Sequence, residues 1–473
     1  MIRNGERSIA SILLFLSLVF FLWYAWASVG VYQGGDTFQH YLIARYAFYH
    51  PHLFLDHWGK PVFTAIYALP SLGGYAWAEL TTVVIGLATA LMTYLTARKL
   101  ELKYSWSVIV LLLFTPMFFV HLNSVMTEIL FSFWLISGIF FILTRRFSLA
   151  AVFLSFLPFV RTEGFILLPC IAVYFAMERQ WKPFLLLGTG LILYSLLGLV
   201  FYYHDFFWVF NNNPYRVVSP YGSGDMLHFL KSNKVIWGIP ISIAVAISIL
   251  VFTVNAFQRR HLKHNRIWWM LITIPFLIFL LFHSIAWATG TLASNGELRV
   301  MACTAPLTAL LACSVFTAFQ SKGKFSFLKV AAWLLFLAVV IITPFQLFKT
   351  PVPKTVAQQM TEAACTYIEV NLPGRCIHYV DPLIAVKMNR NPYDPTQLMQ
   401  WYSDPEHPEK DMKPGDLVIW DAHFTAHEGR VDYERLNANP EFRMVATFKP
   451  EKPHIIFGSE EYFVAIFEYI RQR

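Results

Sequence analysis

Charge is what this sequence has least of. Asp, Glu, Lys and Arg make up 14% of its 473 residues, where soluble domains carry about 25%. That deficit excludes an ordinary soluble core and fits a protein that lives in a bilayer. Metal-type cysteine spacing is missing too: there are five cysteines, with no CxxC pair, so no zinc ribbon or thioredoxin-like motif is indicated. No glycine-rich phosphate loop is present, which argues against a nucleotide donor. There is no internal repeat and no low-complexity segment.

What replaces charge is apolar bulk. Hydrophobic residues reach 56% and aromatics 17%, with 44 Phe and 15 Trp. Phe suits lipid-facing helix surfaces, and Trp and Tyr suit the interfaces. A crossing helix needs about 20 apolar residues. Such runs are expected at Ser8–Val31, Tyr75–Ala97, Ser105–His121, Thr127–Thr144, Pro183–Tyr203, Trp237–Phe257, Ile267–Thr289, Val300–Phe319 and Leu328–Phe348. Leu149–Val160 and Gly164–Met177 form a short pair, either two shortened helices or one long broken one. The first run is longer than a signal h-region and reads as an uncleaved helix. The expectation is ten or eleven helices.

The formal charge is +8, but the cations form no single basic patch, so nucleic acid is not an expected partner. They sit between apolar runs. Arg3, Arg7, Arg98, Lys99, Lys103, Arg145, Arg146, Arg179, Lys182, Arg259, Arg260, Lys263, Arg266, Lys322, Lys324 and Lys329 fall in loops of one side. The other side has few: Arg45, Lys60, Arg216, Lys231, Lys234 and Arg299. By the positive-inside bias the N-terminus is cytoplasmic, and an odd number of crossings leaves the C-terminus extracytoplasmic. The expected organisation is a mainly α, multi-span domain over 1–349 and a small soluble α/β domain over 350–473. Pro351 and Pro353 end the last helix. In the tail, Thr355–Asn371 reads as helix, and Cys376–Val380, Asp416–Trp420, Arg443–Phe448 and Phe463–Phe467 read as strands.

Polar groups beside apolar runs carry the functional information. Asp36 and His40 share a face if a helix follows Gly34-Gly35. A surface carboxylate there suits general-base work or merely caps the helix. Asp56-His57-Trp58-Gly59-Lys60-Pro61 follows in the same loop. Glu128 starts a helix after a very short turn, where it serves chemistry or a helix dipole. Arg161-Thr162-Glu163-Gly164 interrupts an apolar run and either faces a cavity or pins two short helices together. Arg299 starts a late span, snorkelling or binding a lipid phosphate. In the tail, Asp421-Ala422-His423 and His427-Glu428 are metal-ligand types, but no helix signal accompanies them, and a polar loop is the preferred reading. A disulfide between Cys365 and Cys376 is open.

Together these features resemble the GT-C glycosyltransferases, multi-span enzymes that use polyprenyl-phosphate sugars. The likeness covers roughly Met1 to Phe348. Asp36 matches the acidic residue just after the family's first helix, which the resemblance implies is the catalytic base. His57-Trp58-Gly59-Lys60-Pro61 looks like the Lys-Pro-Pro motif of the aminoarabinose-transferase and protein-mannosyltransferase branch, with Val62 replacing the second Pro, and implies a Lys60 near the donor phosphate. Thr127-Glu128 resembles the family's second acidic position. Arg161-Thr162-Glu163-Gly164 looks like the Arg-Pro-Glu-Gly of GPI-mannosyltransferase-like members, and Arg299-Val300 is similar to the family's late Arg-Tyr pair. The Asp-x-Asp of some mannosyltransferase branches is absent.

The resemblance implies an inverting transfer from a polyprenyl-phosphate-linked sugar to an acceptor hydroxyl on a glycan, lipid or protein. Asp36 and Glu128 would be catalytic, with His40, His57, Lys60, Arg161, Glu163 and Arg299 binding substrate. No cofactor is required by it, though a divalent metal stays open. The alternative class is a flippase or transporter of a lipid-linked sugar, which would show repeated halves and helices broken at mid-membrane.

Overall fold

The computed structural model describes residues 2–216, 219, 221–257, 266–318, 326–400, 407–456 and 460–470. Of the basic loop residues, Arg259, Arg260, Lys263, Lys322 and Lys324 lie outside these. The chain divides into two compact units. One contains residues 1–28 and 47–351, the other 29–46 and 352–473. This differs from a single cut after residue 349, because the segment 29–46 belongs with the C-terminal residues.

Among the described residues, the regular structure of the first unit is helical. Seven helices among the described residues are long and apolar enough to cross a membrane: Gly5–Ala27, Tyr75–Lys99, Trp181–Phe201, Ile239–Ala256, Arg266–Thr289, Leu298–Thr317 and Phe327–Leu347. Four shorter apolar helices accompany them, at Pro61–Leu72, Thr127–Leu143, Phe147–Val160 and Gly164–Met177. Large apolar side chains such as Phe15, Leu185, Phe201 and Phe327 are exposed. In water such a surface would drive aggregation, whereas lipid tails solvate it. This is a multi-pass membrane protein.

Two expectations change in detail. The run Ser105–His121 is two short helices, Ser107–Leu113 and Pro116–His121. Pro116 has no N–H and forces Thr115 into an extended conformation, φ −63° and ψ 121°, which ends the first helix. The helix Pro61–Leu72 was hidden because the sequence around it reads as loop. Its Pro61 occupies the first helical turn, where a missing N–H costs nothing.

The second unit is the α/β domain. Its main sheet has strands β1 (Ile377–Tyr379), β2 (Leu398–Gln400), β3 (Leu417–Asp421), β4 (Phe442–Phe448) and β7 (Val464–Tyr469), in the order β2-β1-β3-β7-β4. β1 is parallel to both β2 and β3, and β7 is antiparallel to β3 and β4. β5 (Ile455–Ile456) and β6 (Glu460–Glu461) pair antiparallel in a second, two-stranded sheet. Four of the strands match the expected ones. The tail helix is Val356–Asn371, started by a capping box in which Thr355 and Gln358 bond each other's backbone, the arrangement that satisfies two orphan N–H groups at once.

Backbone bonds explain why 29–46 joins this unit. Val29 N and Gly30 N both donate to Val352 O at 3.1 Å. A Cβ on Gly30 would lie 2.2 Å from Pro353 O, so only glycine permits the approach. The helix Gly34–Tyr46 follows, and its Arg45 donates to Asn389 Oδ1 at 2.8 Å.

Candidate active site

Lys60 stands at the N-cap of the helix Pro61–Leu72 with φ +60°. This left-handed conformation is rare for a long side chain and is held by local bonds. Gly59 N donates to Asp56 Oδ1 at 2.6 Å, closing the turn, and Thr64 donates to Gly59 O at 3.0 Å. The ammonium donates to Thr162 Oγ1 at 3.0 Å and to Tyr215 Oη at 2.6 Å, and lies 4.1 Å from the Tyr215 ring centroid. Trp58 stacks on the same tyrosine, with 5.7 Å between centroids. Lys60 is buried. His57 packs edge-on to Trp208 at 4.8 Å, and its Nε2 is 3.3 Å from Trp208 O. Burial pushes the His57 pKa down despite that bond.

The second strand of the site begins where two short helices meet. Arg161, extended at φ −154° and ψ 140°, interrupts the helical run. Gly164 opens the next helix, and a Cβ there would sit 2.4 Å from Leu157 C. Close packing of that junction aims the Arg161 guanidinium inward. Its Nη1 meets Glu128 Oε1 at 2.6 Å and Thr127 Oγ1 at 2.7 Å, and its Nη2 meets Glu163 Oε1 at 2.6 Å.

Arg299 reaches the same Glu128 oxygen through Nε at 3.3 Å. It is carried by the turn Leu298–Thr304, which Ser132 ties to the helix Thr127–Leu143 through a 2.7 Å bond to Ala302 O. His283 Nε2 lies 3.7 Å from Glu163 Oε1. Glu128 has no solvent exposure, while the two arginine side chains each retain 13%. Lys60, bonded to Thr162, thus connects to Arg161, Glu163, Glu128 and Arg299 in one network.

Of the residues singled out in the sequence, these five come together in the first unit, and His57 lies on the same loop as Lys60. Asp36 and His40 are placed on the helix Gly34–Tyr46 of the second unit, four apart, with His40 buried and Asp36 in the first turn. Thr127 comes with the Thr127-Glu128 pair, while Tyr215 and His283 carry no motif that marks them as site residues. Tyr215 lies in a long loop with no periodic signal, and His283 is a lone polar residue inside an apolar run, the one cue that could have flagged it.

The tail loop from Asp421 to Glu428 is tied down by its own hydrogen bonds. Asp421 accepts bonds from the N–H groups of His423, Phe424 and Thr425 and from the Thr425 hydroxyl, at 2.6–3.0 Å. His427 faces Glu460 at 2.8 Å. Cys365 and Cys376 are both free thiols; the open disulfide is not formed.

No family profile matches the sequence, and no curated protein does. Solved structures do match. ArnT from Cupriavidus metallidurans in the apo state has a TM-score of 0.61 at 11% identity, over 98% of each chain. The same protein bound to undecaprenyl phosphate gives 0.59, over 98% of this chain and 97% of that one. The oligosaccharyltransferase AglB from Archaeoglobus fulgidus, in complex with an inhibitory peptide and a dolichol-phosphate, gives 0.57 at 14% identity, over 89% of this chain and 69% of that one. At such identities the likeness speaks for architecture, and the architecture is clear: this chain has the GT-C fold shared by ArnT and AglB.

Proposed function

We propose that this protein is a membrane glycosyltransferase that moves a sugar from a polyprenyl-phosphate donor to an acceptor hydroxyl on the extracytoplasmic side. The observation that carries the reading is the network in which Lys60, Arg161 and Arg299 share one buried polar region with Glu128 and Glu163. Buried cations are costly unless they serve an anion or fixed partners. Here two carboxylates fix the guanidiniums, and the arginines keep partial exposure. Such a preorganised group stabilises charge that grows on a leaving phosphate. The likeness to a protein bound to undecaprenyl phosphate and to another bound to dolichol-phosphate supports the same donor class.

In the proposed reaction the acceptor oxygen attacks the anomeric carbon from the face opposite the phosphate. The new C–O bond forms as the bond to the phosphate oxygen breaks, so configuration inverts. Lys60 and Arg299 receive the lipid phosphate. Asp36 takes the hydroxyl proton. Glu128 acts through the arginines it holds and is a positioning residue, which revises its expected catalytic role. Arg161 and Glu163 complete that frame, and His57 and His40 line the loop and helix that bear Lys60 and Asp36.

The purified protein should release polyprenyl phosphate and glycosylate an acceptor when given polyprenyl-phosphate sugars. Asp36→Asn should lower turnover at least ~100-fold with donor binding retained, and Lys60→Met should raise the donor KM. Movement of intact donor across vesicles without bond cleavage would replace this reading with the flippase one. Full activity in Asp36→Asn would remove the assigned base.

A further inference from the structure

Three metal-ligating side chains meet in the α/β unit. Cys376 immediately precedes β1 and His378 lies within it, two residues on, so they project to the same face of the sheet. Asp416 immediately precedes β3. The parallel register pairs Ile377 with Leu417, and Leu417 N donates to Cys376 O at 2.9 Å. Asp416 is therefore level with Cys376 and on that same face. Cys376 Sγ, one His378 ring nitrogen and an Asp416 carboxylate oxygen all lie within 4.8 Å of one another. Among the described residues no other Cys, His and carboxylate group converges in this way.

We propose that Cys376, His378 and Asp416 bind a borderline divalent cation of the zinc class, with water as a fourth ligand. Thiolate, imidazole and carboxylate are the donor types such an ion takes, at bond lengths of about 2.0–2.3 Å. Tetrahedral bonds of that length set ligand atoms roughly 3.3–3.8 Å apart. His378 Nε2 and Asp416 Oδ2 are already 3.3 Å apart. The imidazole is also free of competing work. His378 is 1% exposed, its Nε2 faces only Asp416, and its Nδ1 is buried with no hydrogen-bond partner among the described residues. An ion can replace the proton in the His378–Asp416 contact without breaking another imidazole bond.

Asp416 is aimed by Lys413 N, which donates to Oδ2 at 2.8 Å, and Cys376 makes a single weak thiol contact to Pro395 O at 3.4 Å. On binding, the thiol releases its proton to solvent and the sulfur enters the coordination shell as thiolate. The ion would cross-link the starts of β1 and β3.

The test uses the full-length protein in detergent, stripped with chelator. Added Co2+ should give a near-ultraviolet thiolate-to-metal charge-transfer band, saturating at one ion per chain. The band should vanish in Cys376→Ser and persist in Cys365→Ala. Asp416→Asn should keep the band and weaken binding at least tenfold. A check without variants is maleimide labelling read by mass spectrometry: Zn2+ should protect Cys376. Absence of the band in the wild type, its survival in Cys376→Ser, or equal labelling of Cys376 with and without Zn2+ would overturn the site.

Discussion

Glu128 shows how much a single residue can carry. It is fully buried, and one of its oxygens meets both Arg161 and Arg299. Removing one partner of a buried pair costs about 3–5 kcal/mol, because the other is left uncompensated. Glu128→Gln should therefore lower the thermal midpoint of the detergent-solubilised protein and raise the donor KM. Unchanged stability would mean that the arginines find other partners.

Asp381, after β1, is a residue whose ionisation is set by the fold. Burial, then the neighbouring Asp421 carboxylate, raises its pKa from 3.8 to about 7, against bonds from Leu383 N and Thr361 Oγ1. Glu428 adds to the same field, Tyr462 faces both acids, and Cys365 faces Asp381. A carboxyl with a raised folded-state pKa binds its proton more tightly folded than unfolded. Its contribution to stability is thus fully present below about pH 4 and is lost as pH rises through about 7. Asp381→Asn should remove that slope, so the variant gains on the wild type in thermal midpoint between pH 5 and pH 8. A constant difference across this range would refute the assignment.

Elements were legible where their signals were local. The helix Val356–Asn371 begins at Thr355-x-x-Gln358, a start signal visible in sequence. Thr355→Ala should cost about 1 kcal/mol, read as a fall in the thermal midpoint and faster amide exchange in the helix's first turn. Strands β1, β3, β4 and β7 were legible because apolar runs are bounded by Pro and Gly. β2, only Leu398–Gln400, was not, since three residues show no periodicity. Pro116 broke an expected span for a reason present in the sequence, but hydropathy averaging hides a single missing N–H.

At the scale of the whole molecule, the alternation of basic loops predicts a cytoplasmic N-terminus and an extracytoplasmic C-terminus. Reporter fusions test this. An alkaline phosphatase fused after Arg473 should be active in a bacterial host, and a fluorescent protein fused there and exported unfolded should be dark. The reverse pattern would invert the topology and move the proposed chemistry to the other leaflet.

The sequence by itself determined the membrane character, the apolar helices and the α/β tail, because hydropathy and turn chemistry act over neighbouring residues. It also marked Lys60, Glu128, Arg161, Glu163 and Arg299 as polar groups with no cheap reason to be there. Only the tertiary structure decided that these five form one network, that Glu128 holds the arginines, and that residues 29–46 fold with the tail. Those facts rest on contacts between residues up to hundreds of positions apart, such as Val29 with Val352. Packing geometry, not local propensity, selects them.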